Sequence, residues 1–239
     1  ICDASLIYLT IDIHKNDIGF ILGSGPSINN YNIKKLIEKI KKENPNKNII
    51  GCGGNKIFLK KEILPILKYY TFGSMFFNLP YENEILSFMK NNPNIIKFAS
   101  AFCGNGYKNN WNKKRIKLCK NIPNCFAYDT GNTFSLQKDV SKYSLTGGMC
   151  GPNMIQFLSY MGINKFYLLG CDSTEYYWRS TNGYFLGKDN NKEPVKMNAV
   201  FVYFWIRLYQ FMCENYPKTK IISVNPVGIK GLMHEDLFL

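Results

Sequence analysis

Four turns rich in glycine and small polar residues carry the residue types with which a chain binds phosphate or sugar groups. They lie at positions 23–27, 52–55, 146–148 and 170–173. Glycine lets backbone N–H groups approach an anion, and a helix that begins after such a turn adds partial positive charge. Asn55 and Asp172 can hydrogen-bond hydroxyl groups. The candidate binding residues are therefore Gly23, Ser24, Gly25, Pro26, Ser27, Gly53, Gly54, Asn55, Thr146, Gly147, Gly148 and Ser173.

The first turn, at 23–27, matches neither of two common phosphate-binding motifs. A dinucleotide fingerprint needs a third glycine where Ile28 stands, and no acidic residue closes the second predicted strand. A P-loop needs Gly-Lys followed by Ser or Thr, which is missing after Gly23. A tight strand-to-helix turn without any ligand is the alternative. Four such turns in one chain favour a ligand site.

Apolar periodicity predicts the elements that hold these turns. A buried strand at 17–22, a helix at 33–43 and a strand at 47–51 alternate with the first two turns, as at the start of a doubly wound sheet. Ligands bind such sheets at the carboxyl ends of the strands, where all four turns fall. The sequence thus predicts an α/β, Rossmann-like fold with a doubly wound, mostly parallel sheet. The other predicted strands are 70–77, 95–101, 165–169 and 220–224, and the other predicted helices are 61–70, 83–90, 195–215 and one from Pro152 to Gly162.

A single domain is predicted, because no internal repeat or linker divides the 239 residues. Residues 103–144 are expected to form a loop-rich insertion with one short helix. Residues 174–193 show no periodicity, and a loop this long in a compact domain is usually functional or disordered.

The net charge of +13 favours anionic partners, although a coding bias toward Lys, Asn and Ile produces the same excess without any partner. A lysine-rich helix face at 34–42 is basic, but the chain has no helix–turn–helix and no basic motif interleaved with aromatics, which argues against nucleic acid. No uncharged apolar stretch reaches 18 residues, so the sequence predicts no transmembrane segment and allows at most peripheral membrane contact.

Eight cysteines without a CxxC pair, and only two histidines, argue against a zinc site. The simplest interpretation of the cysteines is reduced thiols in a cytoplasmic protein. No basic region followed by an apolar stretch opens the sequence, so no signal peptide is predicted.

The run Phe20-Ile21-Leu22-Gly23-Ser24-Gly25-Pro26-Ser27 resembles the opening of the bacterial lipooligosaccharide sialyltransferases. It equally resembles the related motility accessory factor and 6-hydroxymethylpterin diphosphokinase-like proteins. A second block is similar to the same superfamily: Thr146-Gly147-Gly148, a helix, the strand 165–169 and Gly170-Cys171-Asp172. The resemblance covers residues 18–60 and 144–226, about half of the chain. It implies a Rossmann-like glycosyltransferase that takes a nucleotide-activated sugar, with a CMP-sugar favoured, and that needs no metal or other cofactor.

The resemblance also implies roles for particular residues. The turn 23–27 would approach the donor's phosphate and ribose, Asn55 would contact the donor, and 146–148 would line the sugar and its carboxylate. Asp172 would hold the cytidine end or the acceptor side. Residues 173–193 would form a lid over the donor, with Tyr176, Tyr177 or Tyr184 on the leaving phosphate. The partners would be a nucleotide-sugar donor and a glycan or protein acceptor.

One departure from that family concerns the general base. The family places a histidine on the lid just before the long helix, but residues 186–195 contain none. An inverting transferase needs a base for the acceptor hydroxyl proton. Asp172, Glu175 or His234 could take that role, although a lone histidine near a chain end is more often a surface residue.

Two other functions stay open at this point. A 6-hydroxymethylpterin diphosphokinase-like enzyme would transfer phosphate from ATP with Mg²⁺. Asp172 and Glu175 could hold that ion, and Arg179 or Lys188 could neutralise charge. A non-catalytic nucleotide-binding relative is the third hypothesis, because the expected histidine is missing and only half of the chain resembles the superfamily.

Overall fold

A parallel β-sheet forms the centre of the described chain. The computed structural model describes residues 11–23, 25–72, 82–101, 117, 120–129, 136–140, 150–171, 198–224 and 233–234. Each pair of neighbouring strands is parallel, and the order across the sheet is β5-β4-β3-β2-β1-β6-β7-β8. The strands are β1 (Ile18–Leu22), β2 (Ile49–Gly54), β3 (Leu67–Phe72), β4 (Ile96–Ala101), β5 (Cys125–Asp129), β6 (Lys165–Leu169), β7 (Lys220–Ser223) and the two-residue β8 (Met233–His234).

Helices cover both faces of this sheet. The α-helices in the described part of the chain are α1 (Ile33–Glu43), α2 (Glu82–Asn91), α3 (Cys150–Tyr160) and α4 (Asn198–Asn215). One face packs against α1 and α2 through residues such as Phe20, Tyr70 and Ile37. The other face packs against α3 and α4 through residues such as Ile21 and Trp205. The predicted α/β, Rossmann-like, doubly wound arrangement is therefore confirmed, and the sheet is parallel throughout. The predicted lid loop lies outside the described residues.

The local sequence explains where α1 begins and which of its sides faces the core. Ile33, Leu36, Ile37 and Ile40 are buried at helical spacing, while lysines occupy the outer side. The Asn32 side chain accepts a hydrogen bond from the Lys35 backbone N–H (3.1 Å) and caps the helix, as an asparagine at this position is expected to do.

The order of the strands reverses between β1 and β6. From β1 to β5 each strand adds on the same side, and β6 then pairs with the free side of β1, in the register Ile18↔Lys165 to Leu22↔Leu169. Helix α3 makes the return along the chain and packs over β1, β2 and β3. The reversal puts the turns that follow β1 and β6 side by side.

Three local predictions were wrong. The predicted helix at 61–70 is a short 3₁₀ segment, Lys61–Ile63, followed by β3 from Leu67. The buried residues Ile63, Ile66 and Leu67 imitate helical spacing because they point into one core from a turn and a strand. Residues 52–54, predicted as a turn, are the end of β2. Strand β5 lies inside the region 103–144, which was predicted to be mostly loop.

Helix α4 is buried on one side only, although a helix with so many aromatic side chains would favour burial on all sides. Phe204 and Trp205 are buried, but Tyr203 and Tyr209 are 49% and 41% exposed. One face of α4 therefore meets the core, and the other meets solvent.

A hydrogen-bond chain fastens the segment before β1 to the sheet. His14 Nδ1 lies 3.1 Å from Asp17 Oδ2, and His14 Nε2 lies 2.7 Å from the Tyr69 hydroxyl. A carboxylate only accepts, so Nδ1 donates to Asp17, and in the neutral ring Nε2 accepts from Tyr69. Burial raises the pKa of Tyr69 well above its usual range. The buried hydroxyl thus stays protonated and can donate to His14 Nε2.

The Tyr216 hydroxyl makes the stability of the fold depend on pH in the alkaline range. Its hydroxyl donates to the Lys138 carbonyl oxygen (2.9 Å), and burial, followed by the charge of Asp139, raises its pKa to about 12. The unfolded chain loses this proton near pH 10, whereas the folded chain retains it. The group's contribution to stability is therefore lost as pH rises from about 10 to 12.

The variant Tyr216→Phe tests this pH dependence. We expect the free energy of unfolding, measured by urea titration at several pH values, to fall less steeply above pH ~10 than in the wild type. An identical slope in the two proteins would show that Tyr216 does not carry the effect.

Candidate functional site

The turns after β1 and β6 touch each other through their backbones. The Gly23 N–H donates to the Leu169 carbonyl oxygen and the Gly25 N–H to that of Gly170, both at 2.8 Å. A Cβ on Gly23 would overlap the Gly170 oxygen. Because these two N–H groups already donate to carbonyl oxygens of the chain, a ligand at this point has to be held by other groups of the turn.

Position 170 requires glycine for two reasons, its backbone conformation and the lack of room for a side chain. Its φ is +64°, a region that residues with a side chain rarely adopt, and a Cβ here would lie 2.6 Å from the Gly23 oxygen and 3.0 Å from the Ile28 Cβ. Ile28 stands where a dinucleotide fingerprint has glycine, and it is fully buried beneath this turn. In that fingerprint the third glycine allows close packing of the helix against the strand, whereas here a buried isoleucine side chain occupies the position.

The glycines at the end of β2 serve close packing. A Cβ on Gly53 would lie 2.8 Å from Ile57 Cγ2, and one on Gly54 would lie 2.6 Å from the Thr71 carbonyl oxygen. A 3₁₀ helix, Asn55–Leu59, begins directly after β2. Asn55 is thus placed at the carboxyl end of the sheet, next but one to β6 in strand order.

Two buried polar atoms lack a hydrogen-bond partner among the described residues near this end of the sheet. One is Thr71 Oγ1, on the penultimate residue of β3, and the other is Trp205 Nε1 on α4. The indole ring lies against the first turn of α3, where its Cζ2 and Cη2 atoms would be 3.0 Å from a Cβ on Gly151. A buried group without a partner costs about 1–3 kcal/mol, so each one calls for an explanation such as a bound ligand.

Helix α3 carries buried polar side chains that face neighbouring elements. Asn153 Nδ2 donates to the Tyr128 hydroxyl (3.3 Å), near the end of β5. Gln156 Oε1 accepts from the Gln137 backbone N–H (2.9 Å). These contacts fix the beginning of α3, which points its partial positive charge toward the carboxyl ends of the strands.

The structure brings only some of the predicted site residues together. Gly23 and Gly25 adjoin Gly170, and Gly53, Gly54 and the backbone of Asn55 lie two strands away from β6. Pro26 begins the 3₁₀ helix Pro26–Asn30, in which Ser27 is 7% exposed. The predicted residues that lie outside the described ones are Ser24, Thr146, Gly147, Gly148, Asp172, Ser173, Glu175, Tyr176, Tyr177, Arg179, Tyr184 and Lys188.

His234 sits in β8, at the edge of the sheet. It pairs with Ser223 of β7, three strand positions from β1 and roughly 14 Å away at the usual spacing between strands. Its backbone is level with Leu168 of β6 through this register, close to the carboxyl end.

Sequence reasoning missed Thr71 and Trp205. Thr71 falls in the predicted strand 70–77, and Trp205 falls in the predicted helix 195–215. The lack of a partner for a polar atom is visible only once the surrounding atoms are placed. Nothing in the local pattern distinguishes either residue from an ordinary core position.

A scan of protein-family models finds no match to this chain, and a search of curated proteins finds none either. Among the described residues, no cluster of three or more His, Cys, Asp or Glu side chains is placed to hold a metal ion. No helix in the described part of the chain has the length and apolar character to cross a membrane.

Proposed function

We propose that this chain binds a nucleotide-activated sugar at the carboxyl ends of β1, β2 and β6 and transfers the sugar to an acceptor hydroxyl. The observation that carries the proposal is the reversal of strand order between β1 and β6. In open α/β sheets ligands bind at such a reversal, outside the carboxyl ends of the strands. The turns of small residues at 23–27 and 170–171 flank it directly.

The proposed reaction is that of a sialyltransferase-like enzyme with a CMP-sugar donor. The acceptor oxygen bonds to the anomeric carbon, the bond from that carbon to the phosphate oxygen breaks, and the nucleoside monophosphate leaves. A base takes the acceptor's proton, and Asp172, Glu175 and His234 are the candidates. Tyr176 and Tyr177 are the candidates for hydrogen bonds to the leaving phosphate. The resemblance of 20–27, 146–148 and 170–172 to the sialyltransferases supports this choice.

The two buried atoms without partners suggest which groups of the donor lie on the side of α3 and α4. An indole N–H only donates, so Trp205 Nε1 suits a phosphate, carboxylate or carbonyl oxygen. The Thr71 hydroxyl both donates and accepts, which suits a sugar or ribose hydroxyl. A donor that met both atoms would satisfy them at the moment of binding.

A thermal-shift panel tests the proposed ligand class. The ligands are CMP, CDP, UDP, GDP, ADP and ATP, each with and without Mg²⁺. A ligand that binds only the folded state raises the melting temperature by mass action. We expect CMP or CDP to stabilise the protein without metal. Stabilisation by ATP only with Mg²⁺ would favour the kinase instead, and no shift with any ligand would remove the nucleotide proposal.

Thr71→Val tests the position of the ligand with a matched control. The change removes the hydroxyl and keeps the shape, so the free protein should melt at the same temperature or higher. The nucleotide-induced shift should fall by at least half. Ser159→Ala removes a second buried hydroxyl without a partner, near the far end of α3. That control should retain the full shift, and equal shifts in both variants would separate Thr71 from the site.

A further inference from the structure

A lysine-rich surface covers the side of the molecule formed by α1 and the connection between β2 and β3. We call it the lysine face. On α1, Lys34, Lys35, Lys41 and Lys42 are exposed. The connection packs beside α1 and adds the exposed Lys61. With the partly exposed Lys39 and Lys60, the face carries seven lysines against Glu38, Glu43 and Glu62, a net charge of +4.

Two exposed leucines stand within this charged surface. Leu59 and Leu64 are 41% and 39% exposed, on either side of the segment 60–62. The core does not need them, because Ile57, Ile63 and Ile66 already anchor the connection and are buried. Exposed aliphatic side chains surrounded by lysines combine the two features that bind a protein to the surface of an anionic bilayer.

The composition of the face favours lipid over nucleic acid. Its described cations are all lysines, which act as point charges, whereas recognition of nucleic acid commonly uses arginine forks and aromatic rings that stack on bases. Phe58, which precedes Leu59, and Phe88 of α2 stack on each other at 4.3 Å between ring centroids and are half-buried. Aliphatic side chains do not stack on nucleobases, whereas their transfer from water into the apolar region of a bilayer is favourable.

We propose that the lysine face docks this protein on an anionic lipid bilayer, with Leu59 and Leu64 entering the headgroup region. The face lies on the α1 and α2 side of the sheet. The docking rests on charge and exposure and does not depend on the proposed reaction.

Vesicle co-sedimentation of the full chain tests this docking. We expect binding to phosphatidylcholine vesicles that contain about one third phosphatidylglycerol, and no binding to phosphatidylcholine alone. Neutralising two lysines in Lys41→Gln/Lys42→Gln should weaken the partitioning about 10- to 30-fold. The control Lys218→Gln/Lys220→Gln removes the same charge from an exposed position before β7 and from its exposed first residue, and should bind like the wild type.

The leucines have their own matched control. Leu59→Ser/Leu64→Ser should weaken vesicle binding about tenfold, whereas Ile206→Ser, at a position 40% exposed on α4, should not change it. Circular dichroism of each variant checks that the fold is kept. The proposal is wrong if anionic vesicles do not bind or if both lysine pairs matter equally. It is also wrong if the face variants lose affinity for an RNA homopolymer but not for vesicles.

Discussion

Gly170→Ala should lower the free energy of unfolding by about 3 kcal/mol or more. The new Cβ would lie 2.6 Å from the Gly23 oxygen, and the backbone would have to keep a φ of +64° that alanine disfavours by about 1–2 kcal/mol. The clash adds a further cost of about 1–3 kcal/mol, because the Gly23 backbone is held by its hydrogen bond to Leu169 and the Ile28 side chain is fully buried. Gly23→Ala should have a similar effect, since its Cβ would overlap the Gly170 oxygen.

Urea titration of the two variants measures this loss. Gly151→Ala is the matched control, because its Cβ would meet only the Trp205 ring at 3.0 Å and alanine favours a helix. It should change stability by less than about 1 kcal/mol. If all three variants are equally stable, the close contact between the turns is not a constraint on the fold.

Lys97→Met should destabilise the protein by about 3 kcal/mol. Lys97 in β4 is 0% exposed, and its ammonium donates to the carbonyl oxygens of Asn92 (2.5 Å) and Pro123 (3.0 Å). Methionine keeps much of the apolar stem but leaves both carbonyl groups without this donor. Lys68→Met, at an exposed position of β3, is the control and should stay within about 0.5 kcal/mol of the wild type.

The loss caused by Lys97→Met should also depend on pH. Burial lowers the pKa of Lys97 below its ordinary 10.5, so the unfolded chain holds this proton more tightly than the folded chain. Between the lowered pKa and 10.5, the Lys97 contribution to stability therefore rises with pH. Urea titrations at several pH values should show a larger gap between wild type and variant at the alkaline end. A gap that shrinks as pH rises would contradict this sign.

The sheet was largely predictable because its strands are short, apolar runs bounded by turn residues. Ile18–Leu22 and Lys165–Leu169 are almost fully buried, and a pattern of that kind is visible without tertiary information. Strand β5 was missed although Cys125–Asp129 is largely apolar, because this short edge strand lies in a region whose many Gly, Asn and Lys residues are typical of loops. The helix prediction for 61–70 was wrong because apolar residues at helical spacing can also come from a turn and a strand that pack into the same core.

The candidate site was predictable only in its location. The turns after β1 and β6 could be found from glycine and proximity to strand ends, and the strand order places them side by side. What the glycines contact could not be found in this way. Gly23 and Gly54 face backbone oxygens of distant segments. Thr71 and Trp205 are candidates because their buried polar atoms have no hydrogen-bond partner among the described residues. Such properties arise from the packing of several elements together.

The pairing of β1 with β6 also has a consequence for synthesis on the ribosome. Strands β1 to β5 can assemble in the order in which they emerge, each beside the one made before it. The other side of β1 has no partner until Lys165–Leu169 has left the exit tunnel. Until then a central strand exposes its backbone groups as a template for pairing with other chains. The contact between Gly23 and Gly170 forms only after that delay, so a chain interrupted before β6 is left with its most buried strand as an open edge.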